Sequence, residues 1–167
     1  MVTILKTESK KTSIVKFIFI ISMAFILITS CDKEGIKLKE DDYLIFGHFY
    51  GMCYGDQCVQ SYKLTNNNLY KDFRDRYKDT EPDFRPLGNE KFELVKNLQE
   101  AIPQKLLETD QERFGCPDCA DQGGLLLEIS RKGKVNTWAI DQRKSDVPAY
   151  LHDIMDTLNE AIATIND

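Results

Sequence analysis

The chain has 167 residues with 42% hydrophobic and 29% charged residues, a composition typical of a globular domain rather than of a disordered, collagen-like or multi-span membrane protein. Its formal net charge is −5, and without the first 30 residues it carries 18 basic and 26 acidic side chains, a net charge of −8. This acidic balance disfavours nucleic acid as a partner, because phosphates demand a basic surface.

Residues 1–30 are organised like a secretory signal peptide. Four lysines and one acidic residue precede an almost unbroken apolar run from Phe17 to Ile28. A comfortable membrane span needs about 20 apolar residues, so this run is too short. We therefore predict that residues 1–30 are removed during export.

The sequence Ile28-Thr29-Ser30-Cys31 resembles the lipobox of bacterial lipoproteins. The resemblance implies that the Cys31 thiol is alkylated with diacylglycerol, that cleavage occurs before Cys31, and that the new amino group is acylated, for example with palmitate. Two or three acyl chains form a stable anchor, because each buried methylene contributes about 0.8 kcal/mol. An uncleaved anchor with an unmodified Cys31 is the alternative.

The charged residues 31–42 are predicted as a lipidated tether, and residues 43–167 as a single domain. Asp32, directly after Cys31, resembles both an inner-membrane retention signal of enterobacteria and the surface-export signals of Bacteroidetes lipoproteins. We expect attachment to the outer membrane of a bacterial cell envelope, with the inner membrane as the alternative.

Three strands are predicted at the start of the domain. Residues 43–50 are aromatic and β-branched, and residues 58–64 and 69–73 alternate with a period of two. Turn-forming residues at 54–57 and 65–68 separate these segments, which predicts a meander. Residues 74–86 are charged, contain two prolines and are predicted as a loop.

Two helices and a second hairpin are predicted in the remainder. Asn89 is a candidate N-cap for a helix that Pro103 ends, with an apolar stripe at Phe92, Val95, Leu98 and Ile102. Residues 125–130, a turn at 131–134 and residues 135–140 form the hairpin. Asp146 is the candidate N-cap of the last helix, whose stripe is Leu151, Ile154, Met155, Leu158, Ile162 and Ile165.

The predicted fold is α+β, in the order β-β-β-α-β-β-α, with an antiparallel sheet of about five strands and both helices on one face. Alternation assigns the side chains of the first strand to two faces, Leu44, Phe46, His48 and Tyr50 to one and Tyr43, Ile45, Gly47 and Phe49 to the other. Both faces carry aromatic side chains, although the helices cover only one. We therefore expect the second face to be covered by a partner or to be adhesive.

Four cysteines remain besides Cys31, namely Cys53, Cys58, Cys116 and Cys119. An even number in an oxidising compartment favours structural disulfides, and the first two flank a short hairpin loop. A four-thiolate zinc site is the second interpretation, since the Cys-x2-Cys pair resembles half of a zinc ribbon. A redox pair is the third, because Cys-Pro-x-Cys resembles the active site of the thioredoxin superfamily. A strand rather than a helix is predicted after this motif, which removes the dipole that acidifies the first thiol.

The sequence contains no Gly-x-Ser-x-Gly, His-Glu-x-x-His, Walker or Gly-x-Gly-x-x-Gly motif. We therefore predict a non-enzymatic protein with no catalytic residues and no cofactor, bound zinc being the alternative. Tyr50, Tyr54, Asp118 and Asp121 are the candidate binding-face residues. Asp118, Asp121 and Asp141 do not have the spacing of an EF-hand, so solvated turn acids are the simpler interpretation.

Four stretches resemble small lipoproteins of Bacteroidetes: FGHFYGMCYGDQCV at 46–59, DQGG at 121–124, WAID at 138–141 and VPAYL at 147–151. The resemblance supports a lipoprotein and implies no activity. The sequence thus predicts a lipid-anchored envelope protein that binds or inhibits a partner protein or an envelope ligand. A metal-binding or thiol-redox envelope protein is the alternative.

Overall fold

The computed structural model describes residues 36–51, 59–74 and 81–167, and within these ranges the fold is α+β, as predicted. The strands are β1 (Tyr43–Phe49), β2 (Val59–Leu64), β3 (Leu69–Asp72), β4 (Phe84–Pro86), β5 (Arg113–Phe114), β6 (Gly124–Arg131) and β7 (Lys134–Asp141). The α-helices are α1 (Asn89–Val95), α2 (Gln104–Leu107) and α3 (His152–Asn166), with 3-10 turns at Leu98–Ala101, Lys144–Asp146 and Ala149–Leu151. No helix in the described ranges is long and apolar enough to cross a membrane.

The strands form one seven-stranded mixed sheet in the order β4-β3-β2-β1-β6-β7-β5. Neighbours are antiparallel except β5, which runs parallel to β7. The prediction of about five antiparallel strands in the order β-β-β-α-β-β-α was therefore wrong in its detail. The two missed strands, β4 and β5, have three and two residues, too few to show a period of two.

The core lies between the helices and one face of the sheet, which we call the covered face. Phe46 of β1 stacks on Tyr62 of β2 with ring centroids 5.5 Å apart. The Tyr62 hydroxyl donates to Asn166 Oδ1 of α3 at 2.7 Å, and His48 Nε2 lies 2.7 Å from Asn159 Oδ1 of the same helix. All six residues of the stripe predicted for the last helix are buried in this core.

The helix boundaries differ from the prediction, although the predicted apolar stripes are correct. The helix expected to reach Ile102 ends at Val95, and a 3-10 turn then keeps Leu98 and Ile102 buried. Gly88, not Asn89, is the N-cap of α1. Asp146 does not cap α3, because the residue before a proline avoids the helical conformation and Val147, before Pro148, is extended at φ −119° and ψ 139°.

Residues 36–42, predicted as part of the tether, pack against the domain. Ile36 is only 6% exposed and belongs to the core. The Asp42 carboxylate accepts the backbone N–H groups of Lys39 at 3.0 Å and Lys132 at 3.1 Å. The Lys39 bond contributes most to lowering the pKa of Asp42, and the Lys132 N–H and the charges of Arg131 and Lys39 act in the same direction. The packed domain therefore includes the entry segment from residue 36 onward.

Candidate functional site

The second face of the sheet, which we call the open face, is not covered by a helix in the described ranges. Strand register places Ile45, Gly47 and Phe49 of β1 on it, because their neighbours on β1 face the core. Leu126 lies opposite Gly47 on β6. The two faces predicted by alternation along β1 are thus confirmed.

The open face contains a shallow depression of about 240 Å³. Its floor is apolar and half-buried, with Ile45, Leu126 and Ala139 on three neighbouring strands. The other lining residues are Phe49, Val59, Ser61, Asp72, Pro82, Phe84 and Glu128. The depression therefore spans the sheet from β4 to β7 and combines an apolar floor with polar groups at its rim.

Gly47 leaves the middle of this floor without a side chain. A Cβ atom at this position would overlap the carbonyl oxygen of Gln60 and lie 2.8 Å from the Ser61 Cα. Such a separation is too short for non-bonded carbon atoms. The close approach of β1 and β2 therefore requires glycine at position 47.

The polar groups at the rim are held in place by hydrogen bonds. Glu128 accepts the Tyr43 hydroxyl at 3.1 Å and the Thr137 hydroxyl at 3.0 Å. Burial and the Glu128 charge raise the pKa of Tyr43, so its phenol remains a proton donor. Asp72 Oδ1 accepts the backbone N–H groups of Arg74 at 3.0 Å and of Asp83 at 2.9 Å.

A cation lies beside two aromatic rings on the open face. The Lys63 ammonium is 4.5 Å from the centroid of the Tyr43 ring and 5.8 Å from that of Phe84. Such cation–π contacts hold a lysine side chain flat along aromatic surface. The polar groups and rings around the depression are therefore held by contacts within the chain.

Cys116 and Cys119 form a disulfide with their Cα atoms 5.5 Å apart, and both residues are exposed. The disulfide prediction is confirmed for this pair. The other predicted site residues, Cys31, Cys53, Tyr54 and Cys58, lie outside the described residues.

The loop that carries the disulfide is anchored by Asp141, which is 0% exposed at the end of β7. Its Oδ2 accepts the Cys116 N–H at 2.8 Å, and its Oδ1 accepts Gln122 Nε2 at 2.9 Å and the Arg143 N–H at 2.8 Å. Sequence reasoning treated Asp141 as a turn acid. Its position directly after an apolar strand was the available signal for burial.

Asp118 lies inside the disulfide loop and joins it to the end of β1. Its Oδ2 accepts the Gly51 N–H at 2.8 Å and its Oδ1 accepts the Gly123 N–H at 3.1 Å. The Tyr50 ring packs so closely on Gly123 that a Cβ there would overlap it. The structure thus brings the candidates Tyr50 and Asp118 together as supports of this loop, whereas Asp121 is exposed with a positive φ of 53°.

Neither a metal site nor a free histidine is present in the described ranges. No group of three or more His, Cys, Asp and Glu residues is arranged there to hold a metal ion. His48 is bonded to Asn159, and His152 Nε2 donates to the carbonyl oxygens of Lys144 at 2.9 Å and Val147 at 3.0 Å. Both imidazoles therefore have structural hydrogen bonds.

Comparison of the chain with models of known protein families and with curated protein sequences finds no match.

Proposed function

We propose that this protein is a lipid-anchored lipoprotein of a bacterial cell envelope, attached to the outer membrane, and that it acts as a non-enzymatic binding module. In this proposal Cys31 carries the lipid and the open face holds an apolar segment of a partner protein. The lipobox and the resemblance to Bacteroidetes lipoproteins support the anchor. The apolar depression on the open face is the observation that supports binding.

The size and chemistry of the depression favour a protein segment over a small molecule. Pockets that enclose small ligands have volumes of about 300–1,000 Å³, whereas this depression measures about 240 Å³ and is open to solvent. An apolar centre surrounded by ordered polar groups is the usual anatomy of a protein interface. We therefore expect one or two apolar side chains of the partner to fill the space above Ile45, Leu126 and Ala139.

Photo-crosslinking tests the binding surface in cells that produce the full chain. A photoreactive amino acid replaces Leu126 in the depression, and a matched variant carries it at Leu94, which is 57% exposed on α1. We expect one discrete crosslinked species from position 126 that position 94 does not give. Equal crosslinking from both positions, or none from position 126, contradicts the proposal.

The anchor has a separate test. We expect mass spectrometry of the membrane-extracted chain to show a mature protein that begins at a diacylglycerol-modified Cys31. The variant Cys31→Ser is expected to lose this modification and to leave the membrane fraction. A wild-type chain without lipid on Cys31 contradicts the anchor and leaves the crosslinking result unaffected.

Thiol–disulfide exchange is the second candidate function, and the exposure of the Cys116–Cys119 disulfide favours it. The loop has hydrogen bonds through Asp118 and Asp141 that do not need the disulfide, so reduction does not require unfolding. We expect glutathione to reduce this pair in the folded protein, as detected by alkylation and mass analysis. A pair that resists reduction until the domain unfolds contradicts this function. The zinc alternative would need the reduced form of this pair together with Cys53 and Cys58, which lie outside the described residues.

A further inference from the structure

The end of the sheet where the chain enters the domain carries a cluster of cations on an otherwise acidic protein. Arg131, Lys132 and Lys134 surround the turn between β6 and β7, and the backbone of Lys132 is bonded to Asp42 of the entry segment. We call this part of the surface the basic end. It contrasts with the net charge of −8 for residues 31–167.

A depression of about 340 Å³ lies beside this turn. Its lining includes the three cations Arg131, Lys132 and Lys134 and the amide side chains of Gln104 and Asn136, together with two aliphatic residues. No acidic residue lines it, although Gln104 Nε2 donates to the neighbouring Glu108 Oε1 at 3.1 Å. Guanidinium and ammonium groups with neutral amides form a donor set for phosphate oxygens. The chemistry of the depression therefore fits a phosphate ester.

The cations of the turn have no ion-pair partner within the described ranges. The Asp42 carboxylate, whose pKa is lowered mainly by the Lys39 N–H and in part by the charge of Arg131, is 6% exposed and accepts two backbone N–H groups. Glu40 and Asp41 of the entry segment are exposed, so the local charge is not purely positive. Lys132 and Gly133 adopt positive φ values of 52° and 76°, as a tight hairpin turn requires, and this rigid turn keeps the cations together.

The position of the basic end relative to the predicted lipid identifies the source of the phosphate. Lys37 and Leu38 border the β2–β3 turn at Thr65 and Asn66, which lies at the same end of the sheet. Four residues lie between Cys31 and Ile36, and the five Cα-to-Cα steps of an extended chain span at most about 18 Å. A bilayer that holds the acyl chains of Cys31 is therefore within reach of this end of the domain.

We propose that the basic end binds the phosphate of an anionic phospholipid headgroup in the membrane to which the protein is anchored, and this proposal rests on the lipid anchor proposed above. Each basic residue near an anionic membrane surface strengthens association about fivefold. The neutralisation of Lys132 and Lys134 together is expected to weaken the headgroup contact about 25-fold. The acidic remainder of the domain is repelled by the same surface, so only this end faces the lipid.

The test uses the full lipidated chain on vesicles of phosphatidylcholine alone and on vesicles that also contain phosphatidylglycerol, with amide hydrogen exchange of residues 131–136 as the readout. We expect slower exchange on the phosphatidylglycerol vesicles. The double variant Lys132→Gln/Lys134→Gln is expected to lose this protection. The control Arg143→Gln/Lys144→Gln, which removes two cations after the opposite end of β7, is expected to keep it.

The outcomes separate the headgroup site from the anchor. Binding to both vesicle types with equal exchange at 131–136 overturns the headgroup site and leaves the anchor intact. Failure to bind phosphatidylcholine vesicles refutes the anchor, and the site then stands only if phosphatidylglycerol vesicles bind through Lys132 and Lys134. Equal protection of the turn by millimolar glycerol phosphate in solution identifies a soluble phosphate ester as the ligand and overturns the lipid assignment.

Discussion

The variant Asp141→Asn tests how the disulfide loop is held. The wild-type carboxylate accepts three N–H groups at 2.8–2.9 Å while fully buried. An asparagine side chain has one oxygen and one NH2 group, so it leaves at least one of these donors facing another donor. With its oxygen placed toward Gln122 and Arg143, the NH2 group meets the Cys116 N–H.

The expected cost combines a lost charge-assisted hydrogen bond with a buried donor left unsatisfied. The first is worth about 1.5–3 kcal/mol and the second about 1–3 kcal/mol, and the two overlap in part, so we expect a loss of about 3 kcal/mol in the free energy of unfolding. For a domain of this size such a loss lowers Tm by roughly 10 °C. Urea unfolding measures it, and the m-value is expected to stay unchanged.

Asp121→Asn is the matched control, because this aspartate lies in the same loop but is exposed. We expect it to change the free energy of unfolding by less than about 0.5 kcal/mol. Gln122→Ala, combined with Asp141→Asn, is expected to cost less than the sum of the two single changes, since both act on one hydrogen-bond network. A loss below about 1 kcal/mol for Asp141→Asn refutes the assignment of Asp141 as the anchor of the loop.

Three further predictions concern stability. Gly47→Ala forces β1 and β2 apart, and we expect urea unfolding to show a loss of about 3 kcal/mol in the free energy of unfolding. The control Gly88→Ala has no atom within 4 Å of its new Cβ and is expected to lose less than about 1 kcal/mol. The lowered pKa of Asp42 predicts that its carboxylate stabilises the fold fully at a pH above the ordinary pKa of 3.8, and that this stabilisation is lost as the pH falls through the lower pKa of the folded state. The free energies of unfolding of wild type and Asp42→Asn are therefore expected to converge below that pH. A difference that stays constant with pH contradicts this. The double variant Cys116→Ser/Cys119→Ser opens only a short loop and is expected to lose about 2 kcal/mol, and a domain that fails to fold without the disulfide contradicts the support assigned to the hydrogen bonds.

The long elements were predictable because their patterns are long. Strands β1 and β6 begin and end within one residue of the predicted bounds, and the stripe of α3 recurs over four turns. Strand β5 was not predictable, because a two-residue strand has no period and exists only through its pairing with β7. The break after Val95 escaped prediction for another reason, since the 3-10 turn keeps Leu98 on the buried side and leaves the stripe unchanged.

The sequence predicts which residues lie on the open face, but it does not predict the depression on that face. Alternation along β1 separates Ile45 and Phe49 from the core residues without any knowledge of the neighbouring strands. The depression depends on register, which places Ile45 opposite Glu128 across a sequence separation of more than 80 residues. Asp118 shows the same limit, because an acid in a turn looks available for ligands until the backbone N–H groups of Gly51 and Gly123 are placed around it.

The two proposed surfaces are compatible because they lie in different directions from the sheet. Strands β1, β6 and β7 begin or end at the basic end, so a headgroup contact there directs the strands away from the bilayer. The open face then stands roughly upright and is accessible from the side, with Leu126 two residues from the Gly124 end of β6 and five from the Arg131 end. The disulfide loop precedes Gly124 at the other end of β6, about 23 Å farther from the lipid at 3.3 Å per residue. A partner segment can therefore occupy the depression while Arg131, Lys132 and Lys134 remain on the membrane.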